Sequence, residues 1–125
     1  MSLHIVDKLV HGVCVLDFRG RITLGPETET ARKRMKQALD VGHTRVVVDL
    51  GEISYIDSAG LATLVASYTS ARRAGGELKL ARLTKLVRSL MQITRLSTVF
   101  EIYDSVDEAV RSFEPQAPAV ANGKS

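Results

Sequence analysis

The run Arg45-Val46-Val47-Val48-Asp49-Leu50 constrains the fold of this chain more than any other feature. Three consecutive β-branched residues offer neither a helical stripe nor a strict alternation, so the run reads as a strand covered on both faces. Such strands sit at the centre of parallel sheets, and parallel neighbours are reached only through long crossovers, usually helices. A chain of 125 residues has room for one domain of this kind with one core.

The flanking segments supply the crossovers. Leu3–Val10 and Val13–Phe18 are β-rich and separated by His11-Gly12, a tight-turn pair. Cys14, Leu16 and Phe18 share one parity against Val13, Val15 and Asp17, which predicts one buried face on the second strand. Pro26 opens a helix over Glu27–Val41 with a stripe of Ala31, Met35, Ala38 and Leu39, and Gly42 suits its left-handed cap. Glu29 and Lys33 stand in the favourable i,i+4 order. After the central strand, Leu61, Leu64, Val65 and Tyr68 fall at helical spacing as far as about Ala74. Glu77–Ala81 reads as a short alternating strand with Leu78 and Leu80 on one side. Thr84 caps a helix with an inward stripe of Leu83, Leu86, Val87, Leu90 and Met91, and Val99–Tyr103 is a last strand. Ser105 and Glu108 form a capping box for a final helix that turns Val106, Ala109, Val110 and Phe113 inward. The order β-β-α-β-α-β-α-β-α implies an α/β domain, a mixed sheet of about five strands with about four helices and right-handed crossovers. That domain takes residues 1–114, and 115–125, without periodicity, read as a disordered tail.

Composition removes whole classes of function. No apolar run approaches the roughly 20 residues of a membrane helix, and the first residues lack a secretory apolar region, so a cytosolic protein is expected. The single Cys14 has no cation beside it in sequence and reads as a small buried hydrophobe. His4, His11 and His43 lie in unrelated segments, so no metal site is expected. No phosphate-cradling glycine loop and no nucleophile elbow occurs, so neither an enzyme nor a cofactor is expected. From Arg72 to Arg95 seven cations (Arg72, Arg73, Lys79, Arg82, Lys85, Arg88, Arg95) stand against Glu77 alone. Without interleaved aromatics that stretch reads as a solvated rim and not as a nucleic-acid surface.

One segment remains, Ile53-Ser54-Tyr55-Ile56-Asp57-Ser58-Ala59-Gly60-Leu61, between the Val-rich strand and a helix. Asp57 and Ser58 are both good N-cap residues, and their plain structural role is to satisfy free N–H groups at the helix start. The same placement has a functional reading. A hydroxyl there faces solvent, small Ala59 and Gly60 admit another protein, and a phosphate on Ser58 would be tolerated by the helix dipole while repelling a docked partner.

At these residues the chain resembles the STAS domains, in particular bacterial anti-sigma-factor antagonists. The resemblance rests on Val46-Val47-Val48-Asp49-Leu50, Tyr55-Ile56 and Asp57-Ser58-Ala59-Gly60-Leu61. It extends to Gly20-Arg21-Ile22 after the second strand, to Gly75-Gly76-Glu77-Leu78 and to Leu86–Phe100, covering about Leu3–Phe113. It implies a partner that is both an anti-sigma factor and an ATP-dependent serine kinase. It also implies phosphorylation at the position of Ser58 that ends binding, and a metal-dependent serine phosphatase that restores it. The implied contact set is Asp57, Ser58, Ala59, Gly60 and Leu61, with Thr23 on the neighbouring turn. Many kinase-regulated members have Asp where this chain has Thr23, and Ser or Thr where it has Ala59, which leaves Ser58 as the sole acceptor in the motif. Ser54, further back, is a poor acceptor. STAS-like domains also serve as constitutive subunits of lipid-transport or sensory assemblies, and nucleotide binding has been proposed for them. Both stand as alternatives.

Overall fold

A computed structural model describes residues 2–114. The strand that begins with the Val-rich run is the middle of a five-stranded sheet with order β1-β2-β3-β4-β5. In chain order the elements are β1 (Leu3–Val10), β2 (Val13–Ile22), α1 (Pro26–Asp40), β3 (Arg45–Ile56), α2 (Ser58–Arg73), β4 (Glu77–Ala81), α3 (Lys85–Ile93), β5 (Ile102–Tyr103) and α4 (Val106–Arg111). β1 and β2 form an antiparallel hairpin, and β2, β3, β4 and β5 run parallel. The expected element order and the mixed α/β sheet are therefore present. The expected tail 115–125 lies outside the described residues.

α1, α2 and α3 cover one face. Their side chains Ala31, Met35, Leu64, Ala71, Val87 and Met91 pack on Leu16, Phe18, Val46, Val48, Leu50, Leu78 and Leu80. α4 covers part of the other face, where Ala109 and Val110 meet Val13, Val15, Val47 and Ala81. Val46, Val47 and Val48 are thus buried on both sides, as a continuous β-branched run requires.

Six expectations need correction. β2 has two buried faces and not one, because α4 folds back over Val13 and Val15. β4 likewise buries Lys79 and Ala81 as well as Leu78 and Leu80. β3 does not stop at Leu50 but continues to Ile56, and β2 continues to Ile22 beside it. The last strand shortens to Ile102–Tyr103, because Leu96–Thr98 closes a 3-10 turn after the left-handed Arg95. Leu86 is exposed instead of inward, since it flanks the buried stripe of Val87 and Met91. Finally, Glu29 pairs with Arg32 at 3.4 Å, not with Lys33.

The caps form as the sequence indicates. Thr84 accepts from Val87 N and Ser105 from Glu108 N. Gly42, in the left-handed region, donates to Leu39 O while His43 donates to Ala38 O, closing α1. α1 and α2 lie against each other. Thr28, Thr63 and Ser67 are buried on these two helices. Thr28 and Thr63 turn their hydroxyls back to backbone carbonyls, Gly25 O at 3.0 Å and Ala59 O at 2.9 Å, so neither oxygen is left unpaired.

Candidate functional site

The long β3 runs on to Ile56, still buried in the core, and delivers Asp57 and Ser58 to the start of α2. Asp57 is the N-cap and Ser58 the first helical residue. One Asp57 carboxylate oxygen accepts from Gly60 N at 2.8 Å, the ordinary capping bond. The other accepts from Leu24 N at 3.0 Å, thirty-three residues away in the turn between β2 and α1. These backbone N–H groups, Leu24 first and Gly60 second, hold the Asp57 carboxyl below the usual carboxylate range. Asp57 N in turn donates to Ile22 O at 3.3 Å. Asp57 is thus a clamp joining two segments.

The Ser58 side chain is exposed, and among the described residues no side-chain hydrogen bond engages its hydroxyl. Ala59 is half-buried. Gly60 and Leu61 are buried and shape the surface from beneath. A Cβ on Gly60 would collide with the Ile22 carbonyl oxygen, so α2 can lie this close to β2 only with glycine there. Thr23, half-buried, donates its hydroxyl to Glu27 at 3.0 Å in the turn that Asp57 pins. Ser54 is exposed on β3 and donates to Gly20 O at 3.1 Å, so its hydroxyl is already engaged.

Apolar surface surrounds Ser58, and beyond Tyr55 and Leu61 the sequence did not single it out. On one side Leu24 is 77% exposed. On the other, a groove of about 390 Å³ between the start of α2 and α3 is lined by Tyr55, Leu61, Leu86 and Leu90, and bordered by Asp57 and Ser58. Tyr55 and Leu86 are themselves exposed. Leu86 and Leu90 lie on one flank of α3 because they are four residues apart. The signal was present as an apolar stripe wider than the core could absorb.

The other candidate features resolve into structure. The basic stretch does not act as one patch: Lys79 points inward to Ser112 Oγ at 2.8 Å and Glu101 at 3.3 Å, and Arg82 pairs with Asp49 at 2.8 Å. Arg88 faces Asp104 at 3.6 Å. Cys14 is buried, and burial chiefly pushes its thiol up. Among the described residues no group of three or more His, Cys, Asp or Glu could hold a metal ion. Among them, too, no helix is long and apolar enough to cross a membrane.

The arrangement is that of a small α/β display domain, a rigid sheet presenting one hydroxyl at a helix start beside an apolar groove. A family model described as STAS domain matches residues 4–109, and the chain belongs to that family. BtrV of Bordetella bronchiseptica, a provisionally named anti-sigma factor antagonist, is 29% identical over 113 residues, which span 90% of this chain and 96% of that relative. An anti-sigma-B factor antagonist of Listeria monocytogenes is 37% identical over 73 residues, spanning 55% of this chain and 64% of its own. Among solved structures, an anti-sigma factor antagonist from Mycobacterium paratuberculosis shares the fold with a TM-score of 0.80 at 21% identity, covering 89% of this chain and 93% of that one.

Proposed function

We propose that this protein is an anti-sigma-factor antagonist, a cytoplasmic binding module that captures an anti-sigma factor with serine kinase activity and so frees a sigma factor. Ser58 is the phosphoacceptor, and a metal-dependent serine phosphatase resets it. The domain itself binds partners and does no chemistry. The observation that carries this reading is the exposed, uncommitted Ser58 hydroxyl beside the groove of Tyr55, Leu61, Leu86 and Leu90. The anti-sigma factor antagonist names of the relatives support it.

A partner covering the groove gains from burying apolar side chains while the hydroxyl stays small and neutral. Phosphorylation adds about −1.5 to −2 charges at that point. The carboxylate of Asp57 is fixed next to it, and its capping bond to Gly60 N already takes one of the free N–H groups that would steady a phosphate. The dianion therefore stays hydrated, and a partner must strip that water or leave. A penalty of about 2–4 kcal/mol for an unpaired interfacial charge corresponds to roughly 30- to 1000-fold weaker binding.

Titration calorimetry of the cognate anti-sigma factor with unmodified, phosphorylated and Ser58→Ala protein tests this. The unmodified protein and Ser58→Ala should bind alike and the phosphorylated form at least about 30-fold more weakly. Equal affinity of phosphorylated and unmodified protein would defeat the switch. Recovery of a lipid-transport ATPase from native cells, with Ser58 unmodified, would instead support a constitutive subunit.

A further inference from the structure

β1 is the long edge of the sheet, eight residues with no strand on its outer side among the described residues. Its hairpin closes through His11-Gly12, both at positive φ, with Val10 opposite Val13. Antiparallel hydrogen bonding alternates from that pair, so Val10, Lys8, Val6 and His4 bond inward to β2. The backbone groups of Leu9, Asp7, Ile5 and Leu3 therefore point outward. Val6 is 46% exposed and Leu9 62% exposed on this strand. An unpaired edge carrying apolar side chains is a template for another strand.

One side chain crosses it. From α1, Arg34 donates through Nη1 to Ile5 O at 2.8 Å and through Nη2 to Asp7 Oδ1 at 2.7 Å. The bond to Ile5 O agrees with the outward direction that the hairpin register assigns to this carbonyl. We propose that Arg34 is a guard on the β1 edge, and that without it the edge takes the β1 of a second copy in antiparallel pairing.

The sequence of β1 argues for a second copy through one register. With Val6 opposite the second copy's Val6, Ile5 lies opposite Asp7 and Leu3 opposite Leu9. Ile5 and Asp7 then form an outward hydrogen-bonded pair, in which Ile5 O accepts from the second copy's Asp7 N. That is the carbonyl Arg34 occupies. The two Val6 side chains meet as a close, non-hydrogen-bonded pair. No two carboxylates and no two lysines face each other in this register.

The test measures the oligomeric state of the full chain by light scattering after size exclusion. Wild type should run as the 13.6 kDa monomer. Arg34→Met, which keeps an unbranched apolar stem and loses both donors, should give twice that mass, and adding Val6→Lys should restore the monomer. Should Arg34→Met fail to fold by circular dichroism, Arg34→Ala, which keeps helix propensity and removes the donors to both Ile5 O and Asp7, is read the same way. A wild-type dimer, a folded variant that stays monomeric at high micromolar concentration, or a dimer indifferent to Val6→Lys would each overturn the proposal. The experiment does not involve Ser58, so its outcome is separate from that of the proposed switch.

Discussion

Replacing Gly60 with alanine sets two effects of opposite sign against each other. Helix propensity favours alanine by about 0.8–1 kcal/mol in a helix interior, and by less in a first turn. Against this, the new Cβ would collide with the Ile22 carbonyl oxygen and stand 2.7 Å from Ile56 Cγ1. That carbonyl accepts from Asp57 N at 3.3 Å and belongs to β2, so it cannot swing aside without loosening the Asp57 segment. Overpacking of this sort costs about 1–3 kcal/mol. Weakening the backbone bond adds about 0.5–1.5 kcal/mol. The packing penalty exceeds the propensity gain, leaving a net loss of about 0.5–4 kcal/mol. In urea, with a slope of about 1–2 kcal/mol/M for a small domain, a central loss of about 2 kcal/mol should lower the midpoint by about 1–2 M. Circular dichroism at 222 nm, the standard helix signal, reads this directly. An unchanged or raised midpoint would mean that propensity dominates and that the close approach of α2 to β2 is not a packing constraint.

The remaining predictions concern the other groups around the core. Asp57→Ala should cost about 1–2 kcal/mol at neutral pH, as lost caps do. Because the folded Asp57 carboxyl titrates below its ordinary value of 3.8, its contribution is complete above that pH and fades as acidity carries it through the folded value. The urea-midpoint gap between wild type and variant should therefore narrow below pH 3.8, and a gap that widens there contradicts the clamp. Lys79, only 5% exposed, lies 4.1 Å from the Phe113 ring centroid and pairs with a Glu101 that stays solvated. Lys79→Met should change stability by less than about 1 kcal/mol or raise it, whereas Lys79→Ala should lose about 2 kcal/mol or more in thermal melts. A severe loss in the methionine variant would show that the ion pair matters more than the packing. The Cys14 thiol, held protonated by burial, should resist a thiol reagent at neutral pH until guanidinium unfolds the chain. Rapid labelling of the native protein would contradict its burial.

Much of the architecture was legible because local signals and the global pattern agree. The Val46–Val48 run, the caps at Thr84 and Ser105, and Pro26 at the start of α1 each point to the element that forms. The misreadings of burial in β2 and β4 come from partners distant along the chain. Parity in β2 marked Cys14, Leu16 and Phe18 correctly, but nothing local to Val13 and Val15 says that a helix ninety residues later will cover them. Gly51, Glu52 and Ser54 look like a loop, yet they continue β3, with Glu52 and Ser54 exposed to solvent. Lys79 reads as surface charge because its partners are far along the chain, Glu101 just before β5 and Ser112 just after α4. At the site, Asp57 was recognisable as a cap, while its bond to Leu24 was not, since no sequence spacing records a contact between separate turns.

That long-range bond has a consequence for how the surface changes over time. A single carboxylate ties the turn after β2 to the first residues of α2, so Leu24 and Ser58 ride on one rigid unit. An insertion or a stiffening proline around position 24 would tilt the hydroxyl as surely as a change beside it. Tolerance to variation in the two segments should therefore rise and fall together, despite the distance between them along the chain.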